Sequence, residues 1–370
     1  MRSFVALLLV SVAAGTLWDT RTYQRPEATQ ATETLDIYVI DVEGGEATLF
    51  VSPSGEALLV DTGWPGFEGR DAERIARVAA QAGVRQIDHL VITHFHADHF
   101  GGTVQLATHL PIRHFYDHGP RIEGGERAQA QLRSYVDVRQ AGTHRVVIPG
   151  DTIPLGVIDV RVIASAGAVL QTPLPGGGVP NPLCEAFVPH GPEITSRAAD
   201  AEDLRSISLF VSFGAFRTVI MGDLTWNMEE ELVCPTNEVG TVDAYLVSHH
   251  GSDTSGSEAL VHSLRPRVAI MNNGPRKGGS IQTFQILDAS PGLEDLWQSH
   301  YSVAGGDVHN RPLEFIANLD EGSPMEGAAP GAALVHMGPA HWIKLSARAN
   351  GGFTVTNSRT GYTKRYESRN

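Results

Sequence analysis

Three histidines and one aspartate occur within six consecutive positions in the first third of the chain. These positions are His94, Phe95, His96, Ala97, Asp98 and His99. Imidazole nitrogens and carboxylate oxygens are the donors that zinc and related divalent ions bind in proteins. Two such pairs of donors on opposite sides of a tight loop could hold two ions a few ångströms apart. We call this stretch the histidine motif and interpret it as metal-binding; the alternative is a histidine-rich surface loop.

The residues before the histidine motif place it at the end of a buried strand. Val91 and Ile92 are apolar and β-branched, which is typical of a strand interior. Polar residues begin where that strand should end, and a helix is expected after Phe100. The motif is therefore predicted to occupy a loop between a strand and a helix.

A second candidate ligand follows the apolar run from Phe216 to Ile220. Asp223 comes after the glycine that ends this run. The two oxygens of a carboxylate can each bind one metal, so Asp223 could bridge two ions. The alternative is a structural aspartate that caps a helix starting near Thr225.

A third apolar run, from Val242 to Val247, ends in two adjacent histidines. His249 follows a strand and a small hydroxyl residue, as His94 does. We therefore assign His249 as a ligand and His250 as its neighbour, and leave the reverse order open.

These stretches together resemble the metallo-β-lactamase fold superfamily. Residues 93–99 are similar to its HxHxDH motif. Three further stretches resemble, in the expected order, its strands that end in Asp-x-Gly, in a bridging aspartate and in a final histidine: residues 58–63, 221–223 and 246–252. The His-His-Gly-Ser form and residues 40–47 resemble the hydrolase domain of bacterial competence (DNA-uptake) proteins. That family usually has Asp-Val-Gly-Gln-Gly-Asp in the latter stretch, from which this chain departs at Glu43 and Glu46.

The resemblance implies a fold, a ligand set and a cofactor. The fold would be an α/β four-layer αββα sandwich over residues 35–320. Independently of the resemblance, residues 342–345 and 352–355 predict a small β-rich C-terminal appendage over 321–370. Asp61 would support the metal cluster without binding metal, and Asp98 would also take part in catalysis. The cofactor would be two divalent ions, zinc first and manganese or iron as alternatives. The implied metal ligands are His94, His96, Asp98, His99, Asp223 and His249.

The third ligand of the first ion is missing from its usual place. Many superfamily members have a histidine there, and competence-type hydrolases tend to have an asparagine before a serine. His144 and His190 are the candidate histidines in this part of the chain, but the residues around them do not resemble that ligand position. Asp203 is the best substitute, because zinc, manganese and iron all accept an oxygen ligand.

The start of the chain predicts export. Arg2 precedes an apolar run that is too short to cross roughly 30 Å of hydrocarbon as a helix. We interpret residues 1–14 as a secretory signal, with an uncleaved anchor as the alternative, and residues 15–34 as a disordered lead-in. The mature chain would be secreted or periplasmic, without a membrane span. Cys184 and Cys234 could pair there or remain separate thiols.

Charge and chemistry limit the substrate. The chain has 28 basic and 42 acidic residues and no run of lysine or arginine, which disfavours tight nucleic-acid binding. Lys277 could reach an anionic substrate group, or could belong to a solvated glycine-rich turn. We expect a metal-bound hydroxide to attack a small molecule or envelope polymer, most favourably a phosphodiester. The alternatives are a lactone or lactam hydrolase and a non-catalytic metal-binding envelope module.

Overall fold

Two large β-sheets lie at the centre of the fold, and the computed structural model describes residues 33–120, 125–188, 202–324 and 334–369. The predicted secretory signal, His190 and all but the last two residues of the lead-in lie outside these ranges. In chain order the strands are β1 (Thr34–Val39), β2 (Thr48–Val51), β3 (Ala57–Val60), β4 (Ile87–Val91), β5 (Ile112–Asp117), β6 (Thr143–Val146), β7 (Asp159–Ser165), β8 (Ala168–Val169), β9 (Val179–Pro180), β10 (Ser208–Phe213), β11 (Phe216–Ile220), β12 (Thr236–Asn237), β13 (Ala244–Leu246), β14 (Val268–Met271), β15 (Asp295–His300), β16 (Ile316–Asn318), β17 (Ser323–Pro324), β18 (Leu334–Val335), β19 (Ile343–Arg348), β20 (Phe353–Asn357) and β21 (Thr363–Tyr366).

The helices lie outside these sheets and are mostly short. The longest two are amphipathic or polar and pack one face on a sheet. No helix within the described ranges combines the length and the apolar character needed to cross a bilayer. The helices are α1 (Arg70–Gln81), α2 (Ala97–Phe100), α3 (Thr103–Leu106), α4 (Glu126–Arg139), α5 (Trp226–Val233), α6 (Glu258–Leu264), α7 (Ile281–Ala289) and α8 (Gly306–His309).

Three apolar cores separate four layers. One core lies between the two sheets and includes Phe50, Leu209 and Trp297. A second joins the first sheet to α1 and α4, and a third joins the second sheet to α5, α6 and α7. The strand order is β21-β20-β19-β1-β2-β3-β4-β5-β6 in the first sheet and β16-β15-β14-β13-β11-β10-β7-β8 in the second. The predicted four-layer αββα sandwich is confirmed.

Parallel pairing brings the chemically important strand ends to one edge of each sheet. In the first sheet β3, β4 and β5 are parallel, and in the second β11, β13, β14 and β15 are parallel. The carboxyl ends of parallel strands meet at the same edge, where α/β proteins bind their ligands. The loops after β3, β4, β11, β13 and β14 therefore lie together.

The predicted β-rich C-terminal appendage consists, in its described residues 321–324 and 334–369, of strands of which the last three extend the first sheet. Strand β19 pairs antiparallel with β1, and β20 and β21 extend the same sheet. Leu345, Val355 and Tyr366 are buried in the core between the sheets. The alternating apolar residues that predicted β-structure here give these strands one face for the main core.

The segment that follows β7 and is rich in proline and glycine is fixed to the rest of the fold in its described part, which ends at residue 188. It contains the short strands β8 and β9 and a 3₁₀ helix, Pro182–Ala186. Cys184 in that helix forms a disulfide with Cys234, which directly follows α5. The two cysteines therefore pair, which was one of the two possibilities left open by the sequence.

A buried ion network connects the two sheets. His300 at the end of β15 lies 2.8 Å, Nε2 to Oδ1, from Asp41, which follows β1. Arg74 of α1 donates to Asp41 and Glu43 at 3.0 Å each. The guanidinium already supplies the positive charge here, so we do not count these acidic and histidine side chains as a metal site. Burial alone would lower the pKa of His300, but the Asp41 carboxylate outweighs the effect of burial, so the pKa of His300 lies above its usual value.

The His300→Gln substitution should destabilise the protein more at pH 6 than at pH 9. A histidine whose pKa is raised by folding stabilises the fold below its unfolded pKa of about 6.5 and loses that contribution as pH rises through the folded pKa. Urea unfolding at several pH values would measure this. His262→Gln is the control, because that ring bonds a backbone carbonyl and its only carboxylate neighbour within the described ranges, Glu258 at 3.5 Å, is exposed to solvent. A His300→Gln effect independent of pH would contradict the assignment.

Candidate metal centre

The first ligand group consists of His94, His96 and Asp203. His96 Nδ1 lies 3.0 Å from Asp203 Oδ1 and 2.9 Å from His94 Nε2, and His94 Nε2 lies 3.4 Å from Asp203 Oδ1. Asp203 begins a 3₁₀ turn that leads into β10, and this turn brings it to the end of β4. The structure therefore places Asp203 where the missing third ligand was sought. His144 lies elsewhere, 2.9 Å from Asp117.

The second ligand group consists of Asp98, His99, Asp223 and His250, whose donor atoms lie within 4.8 Å of one another. His99 Nε2 is 3.4 Å from Asp98 Oδ2 and 3.2 Å from Asp223 Oδ2. His250 Nε2 is 3.4 Å from Asp98 Oδ2 and 3.6 Å from Asp223 Oδ2. These side chains are all buried.

Asp223 lies between the two groups. Its Oδ2 is 3.2 Å from His99 Nε2 in the second group and 3.9 Å from His94 Nε2 in the first. Ser206 Oγ accepts a hydrogen bond from the Asp223 backbone N–H at 3.2 Å, which fixes the position of the residue. This geometry suits the bridging role predicted for Asp223 from the sequence.

The structure favours the order that the sequence analysis left open for the two histidines after β13. His250 belongs to the second group, whereas His249 lies at its outer side, with Nε2 3.2 Å from Asp223 Oδ2 and Nδ1 3.0 Å from Thr254 Oγ1. The backbone explains the difference, because both residues have left-handed φ values, 50° at His249 and 55° at His250. The chain therefore turns sharply here, and the comparison with His94 assumed that it continues in the strand direction.

Asp61 supports the cluster from behind. It is fully buried, and its Oδ2 accepts hydrogen bonds from His99 Nδ1 at 2.7 Å and from the Thr93 hydroxyl at 2.6 Å. Its Oδ1 accepts from the Thr93 backbone N–H at 2.7 Å. Because His99 Nδ1 donates to Asp61, its Nε2 faces the second group. Asp61 thus occupies the supporting position implied by the family resemblance.

Lys277 lies at the rim of the second group. Its ammonium contacts Asp98 Oδ2 and lies 5.0 Å from the centre of the Trp64 ring. The side chain is 37% exposed, so it faces both the site and solvent. Its loop follows β14.

Several supporting residues were missed by the sequence analysis. Glu46 is buried against the site and accepts hydrogen bonds from Thr48 and Asn272, and burial raises its pKa to about 7. Ser206 contacts the backbone of Asp223, and Glu202 contacts the histidine motif. The only sequence signal for Glu202 and Ser206 was their position beside Asp203 in the chain.

The charges of the site fit divalent cations. Burial lowers the pKa of His94, so that imidazole is neutral as a metal ligand must be. Burial alone would raise the pKa of Asp98, but Lys277 and His99 hold it well below its usual value. Burial would lower the pKa of His99, yet Asp223, Asp98 and Asp61 raise it well above its usual value, so this position favours positive charge. Asp203 Oδ1 is buried and faces His96 Nδ1 at 3.0 Å and His94 Nε2 at 3.4 Å, so a cation could bind between these three donor atoms.

The model of the family described as metallo-beta-lactamase superfamily matches residues 40–271, which include every member of both ligand groups. The chain belongs to this superfamily. The solved structures similar to it include the metallo-beta-lactamase fold protein YhfI from Bacillus subtilis, with 11% identity over 72% of this chain and 95% of that one and a TM-score of 0.41. Tm1679, a metal-dependent hydrolase of the beta-lactamase superfamily, has 15% identity over 73% and 97% and a TM-score of 0.42.

Two curated proteins are also similar. Recombination protein 2 of Haemophilus influenzae is 24% identical over 243 residues, which are 65% of this chain and 24% of that protein. Ribonuclease Z of Methanopyrus kandleri is 30% identical over 142 residues, which are 36% of this chain and 46% of that enzyme. The matched region thus spans less than half the length of either relative.

The His250→Ala substitution should remove about one of two bound ions, while His249→Ala should leave metal content nearly unchanged, because the donor nitrogen of His250 lies inside the second ligand group. Plasma mass spectrometry on dialysed protein would count the ions per chain. If His249→Ala lost an ion and His250→Ala kept both, His249 would be the metal ligand, as the sequence predicted.

Proposed function

We propose that this protein is an exported metal-dependent phosphodiesterase. The observation that carries the proposal is the pair of ligand groups meeting at Asp223, with the partly exposed Lys277 at their rim. Two divalent ions held there would supply a nucleophile from water at neutral pH and a Lewis acid for the oxygen under attack. We propose zinc, with manganese or iron as alternatives, because both groups combine imidazole and carboxylate donors.

The protein's own side chains would orient and neutralise the substrate. Lys277 can donate to a substrate oxygen while it remains beside Asp98, since an ammonium has three donors. Asp98 faces the site as an ionised carboxylate and can orient the attacking water by accepting a hydrogen bond from it, which is the catalytic role we propose for it. His249, with Nε2 toward Asp223 and a 19% exposed side chain, can contact substrate from the opposite side.

The proposed substrate class rests on the net charge of the chain and on the activity for which one similar protein is named. Ribonuclease Z is named for an activity on RNA, whose backbone links are phosphodiesters. The formal charge of −14 disfavours a long polyanion as substrate. We therefore propose a small diester, or a diester within an envelope polymer or lipid headgroup.

Export is proposed from two features of the chain. Residues 1–14 have the pattern of a secretory signal. The Cys184–Cys234 disulfide agrees with this, because disulfides persist mainly in oxidising compartments outside the cytosol. We propose a periplasmic or secreted location.

The metal-loaded protein should hydrolyse bis-p-nitrophenyl phosphate, and His96→Ala should lower the rate by at least about 100-fold because it removes a donor of the first group. Release of p-nitrophenolate measures the rate, and His109→Ala, in the loop before β5, is the control. No turnover of diesters, together with opening of lactone or lactam rings, would replace this proposal with the ring-hydrolase alternative.

The Lys277→Gln substitution should raise KM for an anionic diester by about 10- to 100-fold, since a hydrogen bond to a charged group contributes about 1.5–3 kcal/mol. The effect on an uncharged p-nitrophenyl ester should be much smaller. Steady-state kinetics on both substrates would measure the difference, with metal content checked in the same samples. Equal losses on both substrates would show that Lys277 acts through Asp98 rather than on substrate charge.

A further inference from the structure

A buried carboxylate outside both ligand groups connects the two chain segments that supply the donors of the first ligand group. Glu202 is fully buried, and its Oε2 accepts a hydrogen bond from the backbone N–H of Phe95 at 3.2 Å. Phe95 lies between His94 and His96, and Glu202 is the chain neighbour of Asp203. One carboxylate thus joins two segments, 107 residues apart in sequence, that together supply all three donors of the first group.

The same oxygen is contacted by a histidine, which in turn accepts a hydrogen bond from an arginine. His118 follows β5, is buried, and its Nε2 lies 3.0 Å from Glu202 Oε2. Arg205 Nε donates to His118 Nδ1 at 3.3 Å. Because Nδ1 accepts this hydrogen bond, the proton of a neutral imidazole is on Nε2, which donates to Glu202. The His118 ring also packs 4.8 Å, centre to centre, from the Phe95 ring.

We propose that Arg205, His118 and Glu202 are positioning residues that hold Asp203 against His94 and His96, and so set the metal affinity of the first group. This proposal rests on the metal centre proposed above and does not depend on the substrate. His118 lies behind the first group, buried against Glu202 and the Phe95 ring.

The physical need for such support comes from Asp203 itself. A carboxylate on a short side chain reaches the first group only if its backbone is held close to the histidine motif. The turn that carries it is closed by two backbone hydrogen bonds, from Arg205 to the Glu202 carbonyl and from Ser206 to the Asp203 carbonyl. At the beginning of this turn, Glu202 accepts a hydrogen bond from the Phe95 backbone. Near the end of the turn, Arg205 donates a hydrogen bond to His118. Partners that orient ligands in this way commonly change metal affinity by about 10- to 100-fold.

The test is metal retention in full-length variants dialysed against a weak chelator. We expect His118→Ala and Glu202→Ala to lose about one ion of two, with first-group affinity for zinc lowered by about 10- to 100-fold. Glu202→Gln should keep most of that affinity, because its amide oxygen can still accept from Phe95. His144→Ala is the matched control, since His144 also pairs with a carboxylate, Asp117, and neither residue belongs to a ligand group.

Combination with His250→Ala identifies which ion is lost. If His118 supports the first group, the double variant His118→Ala/His250→Ala should retain almost no metal, whereas each single variant retains about one ion. Circular dichroism and thermal melting would show that the variants are folded. Folded His118→Ala and Glu202→Ala variants with wild-type zinc affinity would overturn the proposal, and so would a double variant that retains as much metal as His250→Ala alone. A protein that binds two ions but cleaves no diester would refute the proposed function and leave this inference standing.

Discussion

The packing of the two sheets against each other is the constraint on which the candidate metal centre depends. The histidine motif belongs to the first sheet, whereas Asp203, Asp223 and His250 belong to the second, so neither sheet carries a complete ligand group. The core between the sheets, which includes Phe50, Leu209 and Trp297, sets the distance across which these donors meet. A close-packed core transmits such geometry because it leaves little freedom for relative movement of its two sides.

The buried charged groups of the metal centre require partners, and residues that surround the two ligand groups supply them. Asp61 holds His99, Glu202 holds the loop between His94 and His96, and Lys277 neutralises Asp98. An unpaired buried charge is strongly destabilising, so each of these contacts serves stability as well as geometry. Away from the site, the Asp41–His300 pair connects the two sheets in the same way.

Much of the fold and most of the donor set could be predicted from the sequence, because both depend on local patterns. The apolar runs before Asp61, His94 and Asp223 identify strands, and a strand's end identifies where its polar neighbours gather. The features that could not be predicted depend on non-local geometry. The order of His249 and His250 depends on two left-handed residues, and the place of the C-terminal strands depends on β19 pairing with β1. Glu202 and His118 are 84 residues apart, and no local pattern connects them.

The central claim is that the two ligand groups hold two divalent ions that share Asp223. Anomalous X-ray diffraction from crystals of the zinc-loaded protein tests it most directly, because the signal locates each ion and its ligands without reference to substrate. The account predicts two peaks about 3.5–4 Å apart, one bound by His94, His96 and Asp203 and the other by Asp98, His99 and His250, with Asp223 between them. A single peak, or two peaks with Asp203 or His250 turned away from both, would contradict it.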